Sequence, residues 1–210
     1  MNPTLILAST SPYKQGLLQR LGLPFRSADP AVVETARPGE APPALAERLA
    51  EAKAQAVAER HTGAWVIGAD QVPELDGRSL GKPGDQSRAR AQLQAARGHA
   101  LQFHTAVCLI RRAPIESTAA PDRALSSATE TVWIARHCDH TVARFRALSD
   151  AEIERYLDRE PAYDCAGGFK CEGLGIALFD AIDSQDPTGL IGLPLIGLSA
   201  LLRRAGFAIP

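Results

Sequence analysis

Four of the 23 basic residues are lysine, and none of the four looks randomly placed. Lys14 follows Ser9-Thr10-Ser11-Pro12, and Lys53 lies in an alanine-rich run. Lys82 is set in Gly81-Lys82-Pro83, and Lys170 closes Ala166-Gly167-Gly168-Phe169-Lys170. A chain that otherwise writes positive charge as arginine keeps lysine where a compact point charge serves better than a planar fork. Several ammonium groups converging on one cleft would bind a polyphosphate. Asp70 ends an apolar run, Glu34 lies on a loop, and Glu172 sits in Cys171-Glu172-Gly173. A carboxylate placed as Asp70 is can hold a divalent metal or take a proton from an attacking water, and Glu34 is a second candidate. Carboxylates and lysines around one anion are what metal-assisted phosphoryl transfer requires. Plainer readings stand beside these: Ser11 as a helix N-cap, and Asp70 as a surface turn residue.

The elements that must position these side chains are legible in outline. Leu5-Ile6-Leu7-Ala8 reads as a buried strand, followed by Ser11 as N-cap and Pro12 opening a helix that stops at Gly22. The helix N-terminus carries unpartnered N–H groups and partial positive charge, so it is itself an anion site. Phe25 to Ala28 is a short strand, and Leu45, Leu49, Ala52 and Ala56 recur at helical spacing. Trp65 to Ala69 reads as a strand ending at Asp70, where ligands sit in open α/β sheets. Leu75-Asp76-Gly77-Arg78 predicts a hairpin turn. Further on come a helix over 85–97, a strand over 101–110 and strand-like stretches over 133–145. Ser149-Asp150-Ala151-Glu152 is a capping box opening a helix to about Arg159. Leu174 to Phe179 reads as a strand, and Pro194 starts a closing helix. Residues 112–127 have no period and read as a long, mobile hairpin connection. The order of elements predicts an α/β fold with a mixed sheet.

Composition bounds the rest. With 210 residues, 45% hydrophobic and 22% charged, the chain over 1–210 fits one large domain or two small lobes sharing a cleft. A net charge of -1 gives no global field for nucleic acid or an anionic membrane. No apolar stretch reaches the roughly 20 residues of a membrane span, so the expected location is the cytoplasm. Cys108, Cys138, Cys165 and Cys171 form no C-x-x-C pair. His137-Cys138-Asp139-His140 looks metal-like, but neighbours in a strand face opposite ways.

Taken in order, a set of segments resembles the Maf (septum formation) family of nucleoside triphosphate pyrophosphatases. They are Leu5-Ile6-Leu7-Ala8-Ser9-Thr10-Ser11-Pro12, Glu34-Thr35, Leu49-Ala50-Glu51-Ala52-Lys53-Ala54 and Ile67-Gly68-Ala69-Asp70-Gln71-Val72. Leu80-Gly81-Lys82-Pro83, Leu148-Ser149-Asp150-Ala151-Glu152-Ile153, Cys165-Ala166-Gly167 and Gly192-Leu193-Pro194-Leu195 complete the set. The resemblance implies an α/β fold of two lobes around an elongated mixed sheet with a central cleft. It also implies cleavage of a nucleoside triphosphate between the α and β phosphates, with Mg2+ or Mn2+, and suggests a homodimer. By matching position, Asp70 becomes the general base or a metal-bound carboxylate. Ser9, Ser11, Lys14, Lys53 and Lys82 fall to the phosphates, and Glu34 to the metal.

Tyr13, Gln71 and Glu172 stand where the family divides. The subfamily acting on dTTP and UTP carries Arg, a small residue and Gln at those positions. This chain is therefore similar to the subfamily acting on 7-methyl-GTP. An N7-methylated guanine is a delocalised cation, so an aromatic face attracts it by roughly 0.5–2 kcal/mol. A carboxylate can accept both its N1–H and its N2 amino hydrogen. Two departures stand out, since that subfamily usually has Trp in place of Tyr13 and Arg in place of Lys14. Tyrosine offers a smaller π surface, and lysine keeps the charge without the bidentate fork. The same residues also fit a pyrophosphatase of broader substrate range, or a nucleotide sensor that binds without turnover.

Overall fold

Every side chain of strand β1, Leu5–Leu7, is buried. Its alternation sorts the core at once, because Leu5 and Leu7 join one apolar cluster while Ile6 and Ala8 join another. A computed structural model describes residues 4–114 and 130–210 of the chain. Helix α1, Pro12–Gln19, starts at Ser11, whose side chain accepts the Lys14 N–H, and has proline in its first turn. After β2, Arg26–Ser27, comes α2, Pro42–Ala58, which buries Leu45, Leu49, Ala50, Ala54 and Val57. Strand β3 spans Trp65–Leu75, and β4, Arg78–Ser79, folds back on it. Asp76 and Gly77 both have positive φ, 51° and 78°, as the tight hairpin turn requires.

The second half contains α3 (Gln86–Ala96), β5 (Ala100–Pro114), β6 (Glu130–Phe145) and α4 (Asp150–Arg159), whose capping box is complete. A 3-10 turn over Leu174–Leu178 leads into β7, Phe179–Ser184, and α5, Leu195–Arg204, closes the chain. The seven strands form one mixed sheet in the order β2-β1-β3-β5-β6-β7, with β4 added to β3. Pairings among β2, β1 and β3 are parallel, and those along β3, β5, β6 and β7 are antiparallel. Helices α1 and α5 cover one face of the parallel part, and α2 covers the other. A third apolar cluster joins α3, α4 and the aromatic side chains Phe103, Phe145 and Phe169. The mixed α/β class expected from the sequence is the one observed. No helix among the described residues is long and apolar enough to cross a membrane.

Three sequence expectations change. Strand β3 does not end at Asp70, because β5 keeps pairing with it as far as Glu74↔Gln102. Residues 174–178 are not strand. The Glu160 carboxylate accepts the N–H groups of Leu174 and Gly175 and draws the segment into the 3-10 turn. Of the expected 112–127 connection, residues 112–114 extend β5, and the remainder lies outside the described residues.

Candidate active site

Strand β1 is shorter than β3, and that mismatch opens the site. The last bond from the β1 side is Ala8 N–H to the Ile67 carbonyl at 2.8 Å. Pairing resumes with β4 only at Glu74↔Ser79, next to a Leu80 N–H bond to the Pro73 carbonyl. Between these points β3 borders a cleft of ≈ 640 Å³. The cleft lies past the carboxyl ends of the parallel strands, the usual ligand position in such sheets. Ser9, Ser11, Tyr13, Lys14, Glu34, Lys53, Asp70, Gln71, Lys82 and Glu172 all line it.

The centre is a charge cluster on the α2 face of the sheet. Val66 and Val72 of β3 pack into the α2 cluster, and the period of two puts Gly68 and Asp70 on that same face. A Cβ at Gly68 would collide with the Ala50 carbonyl and stand 2.6 Å from the Ala54 nitrogen, so α2 lies directly on β3 there. That approach carries Lys53 of α2 to Asp70. Its Nζ is 2.6 Å from Asp70 Oδ1 and 2.5 Å from Glu34 Oε1. Lys53 and Asp70 are each only 7% exposed. Burial pushes the Asp70 carboxyl above its ordinary range, against the pull of Lys53 and Lys14. Burial opposes the Lys53 ammonium as well, but Asp70 and then Glu34 outweigh it and hold the charge firmly in place. Arg48 of α2 fixes the loop that carries Glu34, donating to Glu40 and to the Thr35 carbonyl. This pairing holds the Glu40 carboxyl down at about 2.

Around that centre lie the remaining cations. Ser11 caps α1 and its own N–H donates to Ser9 Oγ at 3.1 Å, so both hydroxyls are organised by the turn into the helix. Lys14 is half-buried, and desolvation lowers its ammonium. Asp70, Lys53, Lys82 and Glu34 all act on that charge, Asp70 most strongly among them. Lys82 is exposed at the rim, on the loop after β4.

Another part of the cleft lining is aromatic and acidic. The Tyr13 hydroxyl donates to Asp164 Oδ2 at 3.3 Å, and Lys170 Nζ stands 5.6 Å from the Tyr13 ring centroid. Glu172 is exposed on the same loop, with the Cys171 thiol 3.5 Å from its Oε2. Gln71 faces the other side of β3 from Asp70. Its Nε2 donates to the carbonyls of Gly189 and Leu190 at 2.8 and 2.9 Å, and Thr105 Oγ1 donates to Gly189 at 2.9 Å. Gln71 therefore holds a cleft-lining loop as well as lining the cleft itself.

Glu34 and Asp70 reach the same ammonium from two elements, so their oxygens already converge on one positive charge. Two hard carboxylate donors suit Mg2+ or Mn2+, which complete their shells with waters and substrate phosphates. Among the described residues no group of three or more His, Cys, Asp or Glu is placed to hold a metal.

Sequence reasoning overlooked Asp164, Arg48 and Thr105. Asp164 directly precedes the Cys165-Ala166-Gly167-Gly168 turn, a position that signals a loop-borne carboxylate. Arg48 and Thr105 act through partners 8 and 84 residues away, and nothing local marks them.

Fold and cleft together define an α/β protein whose central cleft brings three lysines around a buried carboxylate. Matching residues 4–205 with the family described as Maf-like protein identifies the lineage: the chain belongs to that family. It is 57% identical over 210 residues to a 7-methyl-GTP pyrophosphatase of Xanthomonas oryzae pv. oryzae, covering 100% of both chains. A protein of the same name from Ralstonia nicotianae is 48% identical over 209 residues, covering 100% of this chain and 99% of its own. Another from Cupriavidus metallidurans is 49% identical over 205 residues, 98% and 94% of the two chains.

Proposed function

We propose that this protein hydrolyses 7-methyl-GTP to 7-methyl-GMP and diphosphate. The observation that carries the proposal is the Lys53 ammonium held between Glu34 and Asp70 in a cleft also lined by Lys14 and Lys82. The names and full-length similarity of the relatives support the same substrate. An incoming triphosphate offers Lys53 a richer anion, and its ammonium turning to that anion frees Asp70. Water then attacks the α-phosphorus in line with the oxygen that bridges to the β-phosphate. Asp70 takes a proton from that water as the new P–O bond forms, and diphosphate leaves with the electrons of the broken bond. A carboxyl raised by burial is the stronger base for this step. Lys14, Lys53 and Lys82, the Ser9 and Ser11 hydroxyls and the α1 N-terminus balance the charge on the phosphoryl oxygens. A bound Mg2+ or Mn2+, which Glu34 and Asp70 would hold, supplies further neutralisation at those oxygens.

At the other end Tyr13 offers its ring to the cationic base, and Glu172 accepts the N1–H and N2 hydrogens. Gln71 keeps the Gly189–Leu190 segment against the cleft. The whole chain works as one unit with two lobes, in the cytoplasm where nucleoside triphosphates are made. The four free thiols agree with a reducing compartment.

The test is a diphosphate-release screen over 7-methyl-GTP, GTP, UTP and dTTP with Mg2+ and Mn2+ in turn. The expected order has 7-methyl-GTP first, ahead of GTP by roughly 2- to 30-fold for the cation–π attraction. Faster turnover of UTP or dTTP would overturn the base assignment. Binding of all four without diphosphate release would make the cleft a sensor.

A further inference from the structure

Lys170 is absent from the catalytic account, yet its surroundings are those of a ligand-contacting group. Its backbone is clamped: the N–H donates to the Tyr156 hydroxyl at 3.1 Å, and the carbonyl accepts the Gly173 N–H at 3.2 Å. Gly175 packs so closely against it that a Cβ there would stand 3.0 Å from the Lys170 nitrogen. Lys170 and Glu172 are thus the first and third residues of one rigid turn. The side chain is held more loosely. Its Nζ is 3.9 Å from Asp164 Oδ1, the edge of an ion pair, and otherwise it rests over the Tyr13 ring. Lys53, by comparison, is locked at 2.5 and 2.6 Å between two carboxylates. Tyr13 holds the Lys170 ammonium above its ordinary value, with burial opposing. Both Lys170 and Glu172 act on the Cys165 thiol, in opposite directions, which places the two charges near the same cleft-lining residue.

We propose that Lys170 reads the 6-keto group of the purine, donating to O6 while Glu172 accepts from N1 and N2. Resting on the 7-methyl-GTP proposal, this adds to it a selector against adenine. The Watson–Crick edge of guanine presents N2–H, N1–H and then O6 in a row, two donors followed by one acceptor. A carboxylate with an ammonium two residues away on one turn is the complementary row. The ammonium lies 5.6 Å from the Tyr13 ring centroid, a contact it can exchange for that acceptor. An entering base cation claims the ring, and O6 gives the displaced ammonium a new partner. N7 methylation removes the acceptor that neighbours O6 on the Hoogsteen edge, so on that side of the base O6 is the acceptor that remains. Adenine carries an amino donor at position 6, so it would meet Lys170 donor to donor.

The test compares kcat/KM of wild type, Lys170→Met and Lys170→Arg on 7-methyl-GTP, ITP and ATP. ITP keeps the 6-keto group and lacks the 2-amino group, so it isolates Lys170 from the N2 contact. Lys170→Met should lose about 10- to 100-fold on 7-methyl-GTP and on ITP, the size of a charge-assisted hydrogen bond, while ATP holds its rate or gains as the donor-to-donor clash is removed. Lys170→Arg should recover most of the loss on ITP. An equal loss on all three nucleotides would make Lys170 a phosphate contact or a structural residue, and overturns the proposal. An unchanged rate on ITP overturns it too. If wild type releases no diphosphate from any of the three, the proposed hydrolase activity falls and this inference with it. If wild type turns them over and Lys170→Met equals it throughout, only the role of Lys170 falls.

Discussion

Asp70 is a carboxylate caught between opposed influences, and its titration separates them. Burial raises it, while the Lys53 ammonium at 2.6 Å and Lys14 pull it down. The net direction is upward, so in the metal-free protein its midpoint should lie above the ordinary value for aspartic acid. Replacing Lys53 by Met removes the largest lowering influence, so the midpoint should climb further. Carbon-13 NMR of the labelled carboxyl across a pH series reads both values. A wild-type midpoint below the ordinary range would contradict the account of burial, and no movement in Lys53→Met would mean that the ion pair does not govern the group. The sign matters for chemistry. A carboxylate that holds its proton more tightly takes one from water more readily.

At the scale of elements, the site depends on how closely α2 lies on β3, and Gly68 sets that distance. Gly68→Ala should destabilise the fold by about 1–3 kcal/mol, as overpacking does, and move Lys53 away from Asp70. Urea denaturation and kcat measured on the same preparation check this, and unchanged stability would show that α2 can shift freely. The helix itself was legible, since Leu45, Leu49, Ala52 and Ala56 repeat at helical spacing and the structure gives Pro42–Ala58. So were the Ser149–Glu152 capping box and the Asp76-Gly77 turn, because such motifs are satisfied by neighbours in sequence. The full length of β3 was not legible. Its continuation past Asp70 is fixed by β5, a partner from the 100–114 stretch. The misread 174–178 segment fails in the same way, since the deciding carboxylate, Glu160, lies 14 residues upstream. Lys14, Lys53 and Lys82 were visible as oddly placed lysines, but the loop bracing by Arg48 and Gln71 had no local trace.

For the whole molecule, the sheet supplies the geometry by ending one strand early. β1 and β3 run parallel for three residue pairs, and the edge of β3 beyond them borders the cleft that collects charges from α1, α2 and the loops after β2 and β4. Little positive charge is spent elsewhere as lysine, and a net charge of -1 means that the attraction for a triphosphate is local. The central claim is that this convergence cleaves the α–β anhydride with Asp70 as the base. The most direct measurement is Asp70→Asn, followed in parallel by equilibrium binding of 7-methyl-GTP and by diphosphate release with Mg2+. The account predicts that the variant still binds the nucleotide while diphosphate release falls by about 100-fold or more, the contribution of a positioned base. Turnover by Asp70→Asn at the wild-type rate would contradict it.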